Sequence, residues 1–262
     1  MRTYRGILAA GASLLATTVA AQSADLYGVH GARGSIKDDY VHAAPRGCPT
    51  WYARIDGGYT TYDRPSMSQV GIDDLVRQSI TDTGNIGGGI GYYFACNIRG
   101  DITVDHRFES DVKGTNANNF APNYGPMKWG YSSTAILANM YYDFNAGARF
   151  TPYIGFGLGA VNNHFARGRG VVAAGASDAL AVGNPVTVGG SDSWHVAAAA
   201  MTGFVFSVTD RLKLDTGYRF LYLGAAKTGQ TTETVNGGTG GVIHVDSLHA
   251  HEFRVGLRYD IR

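Results

Sequence analysis

From Trp51 to the end of the chain, apolar and polar residues alternate with a period of two in eight segments, and turn-rich stretches separate them. This period belongs to a strand with two unlike faces, because an α-helix repeats near 3.6 residues. The first segment, WYARIDGGYTTY, carries Trp51, Ala53, Ile55 and Tyr59 on one parity and Tyr52, Arg54, Asp56 and Thr60 on the other. In the second, TGNIGGGIGYYF, Ile86, Ile90, Tyr92 and Phe94 oppose Asn85, Tyr93 and glycines. The third, IRGDITVDHRFESD, is the clearest: Ile98, Ile102, Val104 and Phe108 against Arg99, Asp101, Thr103, Asp105, Arg107 and Glu109.

The fourth segment ends AILANMYYDF, with Ile136, Ala138, Met140, Tyr142 and Phe144 opposite Asn139, Tyr141 and Asp143. The fifth, FTPYIGFGLGAV, sets Ile154, Phe156 and Leu158 opposite glycines. Alanines blur the sixth, SWHVAAAAMTGFVFSV, although Trp194, Val196, Phe204 and Phe206 share a parity. The seventh places Leu212, Leu214, Tyr218 and Phe220 against Lys213, Asp215 and Arg219. The last, HEFRVGLRYDIR, places Phe253, Val255, Leu257, Tyr259 and Ile261 against Glu252, Arg254, Arg258 and Asp260.

The connections after the second, fourth and sixth segments are short (ACN, NAGAR and TDR), whereas the others run to roughly 20 or 30 residues. Short turns at one end and long loops at the other, with strands near or above the roughly 9 to 11 residues that cross a tilted bilayer, describe an outer-membrane barrel. The expected fold is therefore all-β: a closed antiparallel eight-stranded transmembrane up-and-down β-barrel, with short periplasmic turns and long extracellular loops. Both chain ends fall on the periplasmic side in this topology.

The aromatics on the apolar parity sort into two bands. Trp51, Phe94, Phe144, Phe150, Phe206 and Tyr259 lie at the periplasmic end of their strands, and Tyr59, Phe108, Trp194 and Phe220 at the other. Such girdles form because aromatic rings sit well at headgroup depth. A soluble periplasmic ligand-binding barrel, the alternative fold, would concentrate its aromatics in the core.

The chain's beginning agrees with export. Arg2 and Arg5 precede an uncharged run from Gly6 to Ala21 that ends in small residues, which is the pattern of a secretory signal peptide cut ahead of Gln22. The domain reading is a signal peptide over 1–21, a periplasmic linker over 22–50 and the barrel over 51–262. No later segment has 18 consecutive apolar residues, so membrane-spanning helices are not expected. Charged residues make up 16% of the chain, against roughly 25% in soluble domains. One face of each strand in lipid accounts for that depletion. Without Arg2 and Arg5 the chain has 20 basic and 21 acidic residues, which gives no reason to expect a nucleic-acid partner.

If the apolar parity faces lipid, the other parity fills the lumen. Arg54, Asp56, Arg99, Asp101, Asp105, Arg107, Glu109, Lys213, Asp215, Arg219, Glu252, Arg254, Arg258 and Asp260 then share a space just wide enough for side chains. Buried charges of opposite sign must pair or meet water. The plain reading is a structural ion-pair core. The sharper one is a narrow gated polar pathway.

Cys48, before the first strand, and Cys96, in the first short turn, both fall on the oxidising periplasmic side, which predicts a disulfide. Among the eight histidines, His244, His249 and His251 are candidates for a haem or small-ligand site, but their spacing matches no metal-ligand pattern. No cofactor and no metal are expected. Ser193 and His195 share a face with no acid beside them, so a lipid-modifying enzyme is the weaker alternative. The third and fourth long loops, rich in Gly, Ala, Thr and Val, suit mobile covers or surface contacts.

The run of WYARIDGGY, NMYYDF, TPYIGFGLGAV, RLKLDTGYRF and LHAHEFRVGLRYDI resembles the small alphaproteobacterial outer-membrane β-barrel surface proteins of the Omp25/Omp31 type, within the OmpA-like barrel superfamily. The resemblance covers roughly residues 50 to 261. It implies a surface protein that supports envelope integrity and host contact, with some members reported as porins or haem binders, and it offers no catalytic residue. One departure is the ending. Barrels of this type commonly finish on Phe, whereas here Arg262 follows Ile261. The expected role is a non-enzymatic structural and surface-interaction barrel of the outer membrane. Its expected partners are outer-membrane lipid and lipopolysaccharide, the barrel-assembly machinery, and host or cell-surface ligands met through the long loops.

Overall fold

The computed structural model describes residues 51–64, 66–69, 75–116, 126–172, 182–233 and 239–261. The expected signal peptide, the linker, Cys48 and Arg262 lie outside them. The described strands, in chain order, are β1 (Trp51–Tyr62), β2 (Ser66–Gln69), β3 (Leu75–Ile80), β4 (Thr83–Ala95), β5 (Ile98–Asn116), β6 (Met127–Asp143) and β7 (Phe150–Phe165). They continue as β8 (Gly168–Val171), β9 (Pro185–Val188), β10 (Ser191–Ser207), β11 (Leu212–Tyr222), β12 (Ala226–Glu233), β13 (Thr239–Asp246) and β14 (His249–Ile261).

Eight of these are the segments read from parity: β1, β4, β5, β6, β7, β10, β11 and β14. Each pairs antiparallel with the next. Strand β14 pairs in turn with β1 from Trp51↔Ile261 to Tyr62↔Ala250, which closes the ring. Of the turns ACN, NAGAR and TDR, only the second needs left-handed backbone, at Asn145 (φ 57) and Gly147 (φ 93). Between β10 and β11 the Thr209 hydroxyl accepts from the amides of Arg211 and Leu212 at 3.2 and 2.9 Å.

The apolar parity faces outward. Val196 is 69% exposed, Phe94 63%, and Ile90, Ile102 and Phe253 61% each. In water such a continuous apolar belt would be an unsolved liability. In lipid it is the required surface. The soluble-barrel alternative therefore fails on the outer face itself. Trp51, Phe94, Phe144, Phe150, Phe206, Tyr259, Tyr59, Phe108 and Trp194 all stand outside and exposed, with Phe220 half-buried beside His249 and His251.

The long connections contain further strands. They carry β2, β3, β8, β9, β12 and β13, and these continue the barrel wall beyond the outer aromatic band. The outer parts of β5 and β6 join them, so the order runs β3–β5–β6–β8–β9–β12–β13–β2. Its two ends meet where the Gln78 amide donates to the Met67 carbonyl at 3.2 Å. This collar has an apolar interior, with Met67, Val112, Met127, Trp129, Val186, Val188, Ile243 and Val245 buried. Alternate Thr, Val and Ile residues supply it, as a two-faced strand requires. Strands of four to eight residues give too short a pattern for parity to find.

Candidate functional site: the closed lumen

Seven cations and seven anions occupy the lumen: Arg54, Arg99, Arg107, Lys213, Arg219, Arg254 and Arg258, with Asp56, Asp101, Asp105, Asp143, Asp215, Glu252 and Asp260. The set is charge-balanced. Thirteen of the fourteen predicted lumen residues are here, and Asp143, which parity placed on the inward face, completes the balance. Glu109 is the exception. A bulge between Arg107 and Ser110 advances the strand by one residue, which turns Glu109 to the exposed face and Ser110 inward.

Near the outer aromatic band the ion pairs cross the lumen. The Glu252 carboxylate accepts from Arg107 Nε at 2.7 Å and from Arg219 Nε at 2.6 Å, with Arg254 Nη1 at 3.3 Å. Asp105 accepts from Arg219 Nη1 at 2.9 Å and is also paired with Arg254, which in addition reaches Asp56. Toward the turns, Arg99 pairs with Asp143 at 3.0 Å, Lys213 with Asp260 at 2.5 Å, and Arg258 with Asp215 at 3.8 Å.

Tyrosines take up part of what the ions leave over. Tyr52 donates to Asp101 at 2.9 Å and Tyr93 to Asp260 at 3.1 Å, while Arg54 donates to the Tyr141 hydroxyl at 3.1 Å. The Arg99 guanidinium lies 3.9 Å from the Tyr141 ring centre. Inward glycines make room for these rings. A Cβ on Gly91 would fall 2.1 Å from Tyr52 Cζ, and one on Gly155 would fall 2.5 Å from Tyr141 Cδ1. The space that these glycines leave is filled by tyrosine. A void of about 20 Å³ lined by Arg54, Asp56, Asp215 and Arg219 is left, enough for a water molecule.

Among the described residues the histidines are not gathered into a ligand set. His249 and His251 point outward on β14 and pack on Phe220 at ring-centre distances of 5.6 and 5.4 Å. His251 uses both nitrogens, with Tyr218 Oη at 2.6 Å and Asp63 Oδ1 at 3.2 Å. His244 is exposed on β13, opposite Lys227 and Ser68. Among the described residues no group of three or more His, Cys, Asp or Glu is placed to hold a metal. Ser193 and His195 face inward on β10, away from lipid. Cys96 is exposed in the turn between β4 and β5.

A closed eight-stave barrel with a lipid-facing belt, a charged interior and long outer extensions defines the class: a β-barrel of the bacterial outer membrane. The model of the Opacity family of porin proteins matches residues 53–261, and the chain belongs to that family. A protein of Brucella abortus, itself uncharacterised, is 27% identical over 254 residues, spanning 81% of this chain and 85% of that one. A Rickettsia bellii protein whose given name proposes it as an adhesin is 23% identical over 221 residues, spanning 82% and 90%. Among solved structures, the outer membrane protein OprG from Pseudomonas aeruginosa is similar in fold, with a TM-score of 0.51 at 14% identity over 82% of this chain and 99% of that one.

Proposed function

We propose that this protein is a non-enzymatic surface barrel, closed to diffusion, that reinforces the outer membrane and offers its collar to external partners. The observation that carries this reading is the double closure of the lumen, first by ion pairs that cross it and then by the apolar interior of the collar. A conducting path would have to part both. The ion pairs in the narrow interior serve as struts, since each buried charge needs its partner. The name given to the Rickettsia bellii relative supports a surface-contact role.

The same reading assigns residues 1–21 to export and 22–50 to a periplasmic linker, with Cys48 and Cys96 clipping that linker to the turn end of the barrel. Lipopolysaccharide and the assembly machinery are its partners in the envelope. Host or cell-surface ligands meet the collar. The test is adhesion of a non-adherent Gram-negative host that displays either the full chain or a variant with residues 168–188 replaced by a tight turn. Binding to cell monolayers by the full chain, lost in the variant while its barrel stays folded, is expected. Equal adhesion by both variants and the empty host would contradict the role.

A further inference from the structure

The collar's outer surface carries a feature that its fold does not require. Lys113 on β5, Lys128 on β6 and Arg169 on β8 are exposed and directly opposite one another in register, Lys113↔Lys128 and Lys128↔Arg169. Adjacent strands are about 4.8 Å apart, so three cations fall within about 10 Å. Like charges directly opposite destabilise a strand pair. Any outward polar residue would serve at these positions, yet two successive like-charge pairs stand there. Asp111 relieves only the middle cation, at 2.9 Å from Lys128, and both side chains keep about half their exposure. Among the described residues neither Lys113 nor Arg169 has an ion-pair partner.

The row's height says what it meets. On β5, Lys113 lies five residues beyond Phe108 of the outer aromatic band, and the bulge takes up one of them. At about 3.3 Å per residue and a tilt near 40°, the remaining four place Lys113 roughly 10 Å beyond headgroup depth, and its register partner Lys128 stands beside it. Anionic groups found there belong to the sugar head of the outer-leaflet glycolipid, with its phosphates and acidic sugars.

We propose that Lys113, Lys128 and Arg169 form a docking surface for the anionic oligosaccharide head of lipopolysaccharide, which would hold a glycolipid shell against this side of the collar. The like-charge strain is then relieved by the ligand, a local cost retained at a functional surface. The proposal rests on the reading of the collar as the outward-facing end of an outer-membrane barrel.

The experiment uses the full mature chain folded in neutral-phospholipid nanodiscs, with binding of rough lipopolysaccharide measured by surface plasmon resonance at low and high salt. The triple variant Lys113→Gln, Lys128→Gln, Arg169→Gln is expected to bind at least about tenfold more weakly, given roughly a factor of five to ten per cation near an anionic surface. Lys227→Gln, which removes a cation elsewhere on the collar, should stay within about twofold of wild type. Asp111→Asn, which frees Lys128, should tighten binding and keeps the test open if the triple variant fails to fold. Equal binding by wild type and triple variant overturns the proposal. So does capture of a soluble sulfated polysaccharide by the row with no capture of lipopolysaccharide. Failure of the barrel reading shows separately, as a wild-type protein with no heat-dependent mobility shift on SDS gels.

Discussion

Arg219 and Asp105 stand on opposite sides of the barrel, with three staves between them whichever way the ring is followed, and their side chains meet at 2.9 Å. The contact is a strut across the full width of the lumen. Glu252 shares the same guanidinium at 2.6 Å, so one arginine ties β11 to both β5 and β14. Replacing Arg219 by Met leaves two buried carboxylates short of a partner. Truncating one side of a buried pair costs about 3–5 kcal/mol. The variant should unfold at correspondingly lower urea concentration, followed by tryptophan fluorescence in lipid vesicles. Adding Asp105→Leu should cost less than the sum of the two single changes, because the first has already broken their shared contact.

The lipid face should respond with opposite chemistry. Val255, in the middle of β14, is 58% exposed on the outer face. Arginine there meets hydrocarbon and should destabilise by about 2–4 kcal/mol, while leucine should be close to neutral. Comparable losses for both substitutions in vesicle unfolding would show that this face is not in lipid.

The interior also depends on what glycine leaves free. Gly91→Val would set its branch against the Tyr52 ring, where even a Cβ comes within 2.1 Å. Overpacking of this kind costs typically 1–3 kcal/mol. A second change, Tyr52→Ala, should recover part of the loss because it vacates the contested space. A double variant no better than Gly91→Val alone would show that the clash lies elsewhere.

How far the sequence could be read depended on contrast between the two solvents. Where lipid and lumen demand different residues, as along β5 and β14, alternation displayed both faces and their aromatic bands. It misassigned Glu109 because a bulge shifts the phase by one residue and leaves no composition mark. It missed the collar because Met67, Val186 and Ile243 sit in strands of only four to eight residues. Parity placed Tyr52, Tyr93 and Tyr141 on the charged face, but their role as fillers of glycine-lined space depends on cross-strand register. The pairing of Arg107 with Glu252 was equally hidden, since ring closure alone brings residues 145 apart in sequence to 2.7 Å.

The proposed clip between Cys48 and Cys96 is checked by intact mass. Protein isolated under oxidising conditions should take up no alkylating agent until it is reduced, and then two equivalents. Two adducts without reductant would rule the disulfide out.

The central claim, a barrel closed by its own ion pairs and collar, is tested most directly by conductance. Protein shown to be folded by its heat-dependent gel mobility is inserted into planar bilayers and held under voltage at high salt. A flat trace is predicted, with no discrete openings from wild type. Reproducible unitary steps that vanish when the same sample is heat-denatured would contradict it and establish a conducting path through the struts.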